Sequence, residues 1–93
     1  MTGKTLEQRL DAAGAYSTVR LDLLARHLKE RRGLASLRAV AGEIDVSPAT
    51  LGRVESGNEP DLQTFAKLCR WLNQDPRIYL GLVRVSPEGK VLR

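Results

Sequence analysis

Residues 36–57 read SLRAVAGEIDVSPATLGRVESG, and this stretch contains two helix-start signals in close succession. Ser36 is a good N-cap residue, and Ser47 is followed by Pro48, which lacks the amide hydrogen that would stay unbonded at the first helical position. The pattern predicts one helix over residues 37–44 and a second from Pro48 toward Gly57. Because only about three residues connect them, the two helices must cross steeply, as in a helix-turn-helix.

The apolar residues of this stretch fall where such a pair of helices needs buried side chains. They are Val40, Ala41, Ile44, Val46, Leu51 and Val54. Small Ala41 lies where the two helices come closest, and Leu51 and Val54 form an i, i+3 pair on the inner side of the second helix. Agreement at unequally spaced positions is a more specific signal than a run of basic residues.

The longer stretch SLRAVAGEIDVSPATLGRVESGNEPDLQTFAKLCRWL resembles the Xre or phage-repressor/Cro type of DNA-binding domain, and the resemblance extends from Leu21 to Asp75. It implies an all-α fold, a compact lambda-repressor-like bundle of about five short helices that is generally dimeric on palindromic operators. It also implies that the second motif helix, residues 48–56, lies in the major groove of double-stranded DNA.

The resemblance also implies individual DNA contacts. The predicted DNA-contacting residues are Arg32, Ser36, Leu37, Arg38, Ser47, Pro48, Ala49, Thr50, Gly52, Arg53, Ser56 and Asn58. Leu37 stands where the family often has a Gln, and it cannot form a hydrogen bond. Pro48 and Ala49 offer apolar contact suited to a thymine methyl group. Arg53 can form a bidentate pair with guanine, which is worth about 1–3 kcal/mol of discrimination.

Other positions have two interpretations at this stage. Thr50 reaches either a phosphate or its own backbone, and residues 56–58 match a loop that commonly binds phosphate in the family. Gly52 weakens its helix by about 0.5–1 kcal/mol relative to Ala. On the outward face, its missing side chain either lets the backbone or Arg53 approach DNA closely or simply removes a contact.

Two acidic residues of the motif have predicted structural roles. Asp45 takes the turn position usually held by Gly, and Asp tolerates a left-handed backbone at some cost. Glu55 matches a family position whose Glu commonly pairs inward with a basic residue of the first helix, so that Arg26 or Lys29 is its predicted partner.

Three further helices are predicted around the motif. Ser17 or Thr18 caps a first helix that runs to about Arg32, and Gly33 ends it. The predicted buried stripe of this helix is Leu21, Leu24, Ala25 and Leu28. Asp61 caps a fourth helix that runs to about Asn73. Its predicted buried face is Leu62, Phe65, Ala66, Leu68, Cys69 and Leu72. Asp75 and Pro76 open a fifth helix that runs as far as Leu82.

The predicted organisation is an N-terminal arm at 1–16, a helix-turn-helix domain at 17–82 and a C-terminal tail at 83–93. The tail contains the turn residues Ser-Pro-Glu-Gly at 86–89 between two short apolar runs, so it forms a small hairpin or stays extended. Its predicted role is dimerisation or the binding of a partner protein.

Composition limits the functional classes. The 93 residues suffice for one small domain, and fifteen Lys and Arg against eleven Asp and Glu give a net charge of +4, which suits a polyanion partner. The basic residues from Arg26 to Arg38 are either a solvated surface or phosphate ligands.

The start of the chain lacks a secretory signal, and no run of about 18 apolar residues predicts a membrane span. A cytoplasmic, nucleoid-associated protein without membrane contact is expected.

No catalytic, metal or cofactor site is predicted. Cys69 is the only cysteine and is expected in the core, and His27 is expected as a partly packed surface residue. Trp71 and Phe65 are expected in the core or in a dimer interface. The sequence therefore predicts a dimeric repressor. The alternative is an antitoxin that binds a toxin protein and represses its own operon.

Overall fold

The computed structural model describes residues 19–83. Within this range the chain forms helices only, in the order α1 (Leu21–Arg32), α2 (Leu37–Ile44), α3 (Pro48–Glu55), α4 (Leu62–Leu72) and α5 (Pro76–Tyr79). The predicted all-α bundle of short helices is confirmed, and α2 and α3 are the two motif helices. The predicted N-terminal arm lies outside the described residues, and so does the predicted tail hairpin apart from Val83.

Four helices begin at the capping residues that the sequence predicts. The caps are Ser36 of α2, Ser47 of α3, Asp61 of α4 and Asp75 of α5, and each side chain accepts a hydrogen bond from a backbone amide of the first turn. Hydrogen bonds from the amide and hydroxyl of Thr64 lower the pKa of the Asp61 carboxyl below its usual value. These caps were predictable because they depend on neighbouring residues alone.

Helix α1 begins later than predicted. Its N-cap is Arg20, which supplies no side-chain cap, and the predicted caps Ser17 and Thr18 lie outside the described residues. The backbone amide of Arg20 instead donates to the carbonyl of Tyr79, so that α5 holds the start of α1. At the other end Gly33 terminates α1 with a positive φ of 57°, as predicted.

Two helices end earlier than predicted. Helix α3 stops at Glu55, because Ser56 is already its C-cap, and it does not continue toward Gly57. Helix α5 stops at Tyr79 rather than at Leu82. Gly81 has a positive φ of 74° there, a conformation that no right-handed helix contains.

The core lies between α1, the two motif helices and α4. Its buried members are Leu23, Leu24, Leu28, Val40, Ala41, Ile44, Leu51, Val54, Leu68, Cys69, Leu72, Ile78 and Tyr79. The interior positions predicted for the motif are confirmed, with Val46 half-buried against this cluster. On α1, Leu24, Ala25 and Leu28 are buried as predicted. Leu23 is buried as well, whereas Leu21 is only half-buried, so the predicted stripe was wrong at Leu21.

The predicted buried face of α4 was too wide. Leu68, Cys69 and Leu72 are buried, but Leu62 is 83% exposed and Ala66 is exposed. Leu62 is the first residue of α4. Burial raises the pKa of the Cys69 thiol to about 11, as fits a packed core cysteine.

His27 is not the surface residue that the sequence predicts. It is only 9% exposed, and its Nδ1 lies 2.6 Å from the hydroxyl oxygen of Tyr79, with the two rings in an edge-on contact. Tyr79 is fully buried, and burial raises the pKa of its hydroxyl. This hydrogen bond satisfies polar groups that would be costly to bury alone, and it joins α1 to α5.

Candidate nucleic-acid interface

The turn between α2 and α3 depends on a left-handed residue, Asp45. Its φ of 74° and ψ of 49° confirm the predicted conformation, which among non-glycine residues is most accessible to Asn and Asp. The amides of Asp45 and Val46 both donate to the carbonyl of Ala41, at 2.8 and 3.0 Å. These two hydrogen bonds hold the turn against the end of α2, so α2 and α3 are joined by a short, fixed connection.

Lys67 on α4 fixes the same turn from outside. Its Nζ donates to the backbone carbonyl of Asp45 at 2.9 Å and lies 3.3 Å from the Asp45 carboxylate. Sequence reasoning missed this residue. The only available signal was a lysine beside the buried positions of α4, and that signal does not name a partner.

Helix α3 has an anchored face and a free face. Leu51 and Val54 are 0% and 2% exposed and pack in the core. Pro48, Ala49 and Arg53, which the sequence predicts to contact bases, are all exposed. The helix therefore presents these three residues outward while its inner face is held by α1 and α2.

A chain of three polar side chains runs along α3. The Ser47 hydroxyl accepts from the amide of Thr50 at 3.0 Å and donates to the Thr50 hydroxyl oxygen at 2.8 Å. The same oxygen accepts from Nη2 of Arg53 at 3.3 Å. The hydroxyl of Ser47 is therefore used in capping its own helix. Arg53 is the longest of the three side chains and is exposed.

The side chains of Ser56 and Asn58 and the backbone amides of residues 56–58 form hydrogen bonds with the carbonyl groups at the end of α3. The Ser56 hydroxyl donates to the Gly52 carbonyl at 3.0 Å, and Nδ2 of Asn58 donates to the Arg53 carbonyl at 3.1 Å. The amides of Ser56, Gly57 and Asn58 also donate to carbonyls of α3. These amides, which the family resemblance assigns to phosphate, are therefore already bonded to α3. The second Nδ2 hydrogen of Asn58 is the clearest remaining donor of this loop.

Glu55 is paired with Arg32, not with the predicted Arg26 or Lys29. The Arg32 Nε and Nη2 donate to the two carboxylate oxygens of Glu55 at 2.8 and 2.9 Å, and Nη1 donates to the Ala35 carbonyl at 2.7 Å. Glu55 is 8% exposed, and its hydrogen bonds raise the pKa of Arg32. Arg32 thus ties the end of α1 and the α1–α2 connection to the end of α3.

The start of α2 adjoins this surface. Ser36 caps the helix through the amide of Ala39 at 3.0 Å, and Arg38 is exposed. Leu37 is half-buried and packs against the core. Its apolar side chain, predicted at a DNA-contacting position, therefore has a packing role in the protein itself.

A family model described as a helix-turn-helix domain matches residues 21–77, which is more than half of the chain. The chain belongs to the helix-turn-helix domain family. No curated protein and no solved structure matches it. In helix-turn-helix domains the second motif helix is the recognition helix that enters the major groove, and family membership supports a DNA-binding regulator.

The basic residues of this helix-turn-helix domain do not share one role. Arg32 is bound to Glu55, and the guanidinium of Arg31 lies 4.8 Å from the ring centroid of Trp71 on α4. Trp71, predicted in the core or a dimer interface, is half-buried against the core and donates from its indole to Glu43 at 3.0 Å. Arg32 and Arg38 are both predicted DNA contacts, but only Arg38 is exposed, while Arg32 is half-buried in its pair with Glu55.

Residues 19–83 contain no group of His, Cys, Asp and Glu side chains arranged to hold a metal ion. No helix within the same range is long and apolar enough to cross a membrane.

The sequence predicted that Gly52 lies open on the outer face of α3. In the structure Gly52 is half-buried. A Cβ built on it would lie 3.6 Å from Cδ1 of Leu37, which is ordinary van der Waals contact. A methyl group there would point toward the start of α2. Gly42 in α2 has no atom within 4 Å of such a Cβ.

We expect Gly52→Ala to raise the free energy of unfolding by about 0.5–1 kcal/mol, because it removes backbone freedom from the unfolded chain without a clash. Gly42→Ala is the matched control and should stabilise the protein similarly. Urea unfolding measures both. We expect unchanged DNA affinity for both variants. An affinity loss confined to Gly52→Ala would instead support close approach of the backbone to DNA.

Proposed function

We propose that this protein is a sequence-specific transcriptional regulator of the Xre or phage-repressor type. It acts as a dimeric repressor that inserts α3 into the major groove of a palindromic operator. In this mechanism two recognition helices bind successive major grooves about 34 Å apart and block polymerase by occupancy. The observation that supports it best is the two-sided character of α3, with Leu51 and Val54 anchored and Arg53 exposed.

The proposed contacts divide into two kinds. Arg53 pairs with a guanine, and Pro48 and Ala49 touch thymine methyl groups, so these residues distinguish sequences. Ser36, Arg38 and Asn58 approach phosphates at the edge of the groove, so they contribute affinity for any sequence. Because phosphate neutralisation supplies much of the affinity, binding should weaken steeply with salt.

Arg53→Ala should reduce the preference for a selected operator over random duplex by about 5- to 150-fold, since a bidentate pair with guanine is lost. Arg38→Ala should weaken both duplexes equally and reduce the salt slope by about one. Arg70→Ala is the control, because Arg70 is an exposed arginine in the last turn of α4. Fluorescence anisotropy over a salt series measures all three. Wild-type protein that ignores sequence at physiological salt would reject this function.

The second candidate function is that of an antitoxin, which binds a toxin protein and represses its own operon. A mainly apolar groove favours a protein partner, since the proposed DNA binding by α3 does not use it. It is lined by Val19, Leu21, Glu59, Pro60, Leu62, Phe65 and Leu80. Co-expression with the product of the neighbouring gene tests it. A complex that Leu62→Asp abolishes, with operator binding intact, supports the antitoxin.

A further inference from the structure

We propose that Thr50 is a positioning residue for Arg53, and that its hydroxyl holds the guanidinium where the base-reading contact is made. This inference rests on the proposed function and adds a determinant of specificity to the same surface. It starts from the hydrogen-bonded series Ser47, Thr50 and Arg53, whose members are spaced three residues apart on α3. Residues at this spacing share one face of a helix.

The series is fixed at one end and free at the other. Ser47 is held by its role as N-cap, because its hydroxyl accepts the amide of Thr50 at 3.0 Å. Thr50 is half-buried and β-branched, so few rotamers are open to its side chain. Arg53 is exposed, and its long side chain has many accessible rotamers. The restricted conformations of Ser47 and Thr50 therefore limit the conformations of the Arg53 side chain that is bonded to Thr50.

The donor and acceptor inventory gives this series a direction. An arginine can only donate, so Thr50 Oγ1 must be the acceptor for Nη2 of Arg53 at 3.3 Å. The same oxygen accepts the Ser47 hydroxyl at 2.8 Å. Its own proton is then directed away from both. Thr50 thus restricts the guanidinium with one acceptor and leaves the remaining guanidinium hydrogens for the base.

The consequence is a smaller loss of side-chain freedom when Arg53 binds a guanine. Ordering a long side chain on binding weakens affinity about two- to tenfold. Thr50→Val removes the acceptor and keeps the shape and branching. It also keeps the N-cap, since Ser47 still accepts the backbone amide. Thr50→Ser retains the hydroxyl and should restore the wild-type behaviour.

We expect Thr50→Val to lower discrimination between guanine and other bases at the Arg53-dependent position by about two- to tenfold, with Thr50→Ser close to wild type. In the Arg53→Ala background Thr50→Val should have no further effect. The matched control is Thr64→Val, because Thr64 also follows its N-cap, Asp61, by three residues and bonds to it, but lies on α4. It should leave discrimination unchanged. In the free protein, the NMR order parameters of the Arg53 side chain should fall in Thr50→Val but not in Thr50→Ser or Thr64→Val.

The outcomes separate this inference from the proposed function. If Arg53→Ala lowers discrimination and Thr50→Val does not, the positioning role is wrong and the base-reading role of Arg53 stands. If Thr50→Val has the same effect with and without Arg53, Thr50 contacts DNA by itself and the inference is overturned. If Arg53→Ala leaves discrimination unchanged, the base-reading assignment fails, and the inference fails with it.

Discussion

Replacing Leu51 by Ala should lower the free energy of unfolding by about 2–5 kcal/mol. Leu51 is 0% exposed and joins α3 to the core cluster. The truncation loses the transfer free energy of the removed methyl and methylene groups, and it leaves a cavity that the surrounding helices fill only in part. For a domain of this size such a loss is a large share of the total stability.

The matched control for this prediction is Leu62→Ala. Leu62 has the same side chain on α4 but is 83% exposed, so its truncation should change stability by less than about 0.5 kcal/mol. Urea unfolding followed by circular dichroism compares the two variants. Equal effects would show that the anchored face of α3 is not held as the structure describes. Below its melting temperature, Leu51→Ala should keep whatever DNA affinity the wild-type protein has, because the exposed face of α3 is unchanged.

Breaking the pair of Arg32 and Glu55 should have the second large effect, and the two halves of the pair should differ. Arg32→Ala leaves a carboxylate that is 8% exposed without its partner, whereas Glu55→Ala leaves a guanidinium whose side chain is 22% exposed and can reach water. Uncompensated buried charge is costly. We therefore expect Arg32→Ala to lower Tm by roughly 10 °C or more, and Glu55→Ala to lower it less.

Thermal unfolding of Arg32→Ala, Glu55→Ala and the double variant tests this order. The double variant should be more stable than Arg32→Ala alone, because it no longer buries an unpaired carboxylate. A suitable control is Arg77→Ala, which breaks an exposed pair with Asp75 and should change Tm little. If Glu55→Ala proved the more damaging of the two, the pair would owe its importance to packing by Glu55 and not to charge compensation.

Local chemistry made much of the fold predictable. The caps Ser36, Ser47 and Asp61 and the left-handed turn at Asp45 each depend on a few adjacent residues, and all were found as predicted. The interior of the motif was predictable for a related reason, since helical spacing alone places Leu51 inward.

Long-range contacts made the rest unpredictable. Arg26, Lys29 and Arg32 follow one another at helical spacing, and only the rotation and end of α1 decide which one meets Glu55. Burial of His27 depends on Tyr79, which is distant in the sequence. At the candidate interface the exposure of Arg53 was predictable, but the contact of Leu37 with the position of Gly52 requires the packing of α2 on α3.

Tyr79 has a consequence for folding during synthesis. Its fully buried side chain completes the core, its hydroxyl bonds His27, and its carbonyl accepts the amide of Arg20. Tyr79 leaves the ribosome only after every residue of α3 has emerged, because it follows α3 in the chain. A nascent chain that stops before Tyr79 lacks the residue that joins α5 to α1, so we expect the two motif helices to become stably packed only when α5 has been added.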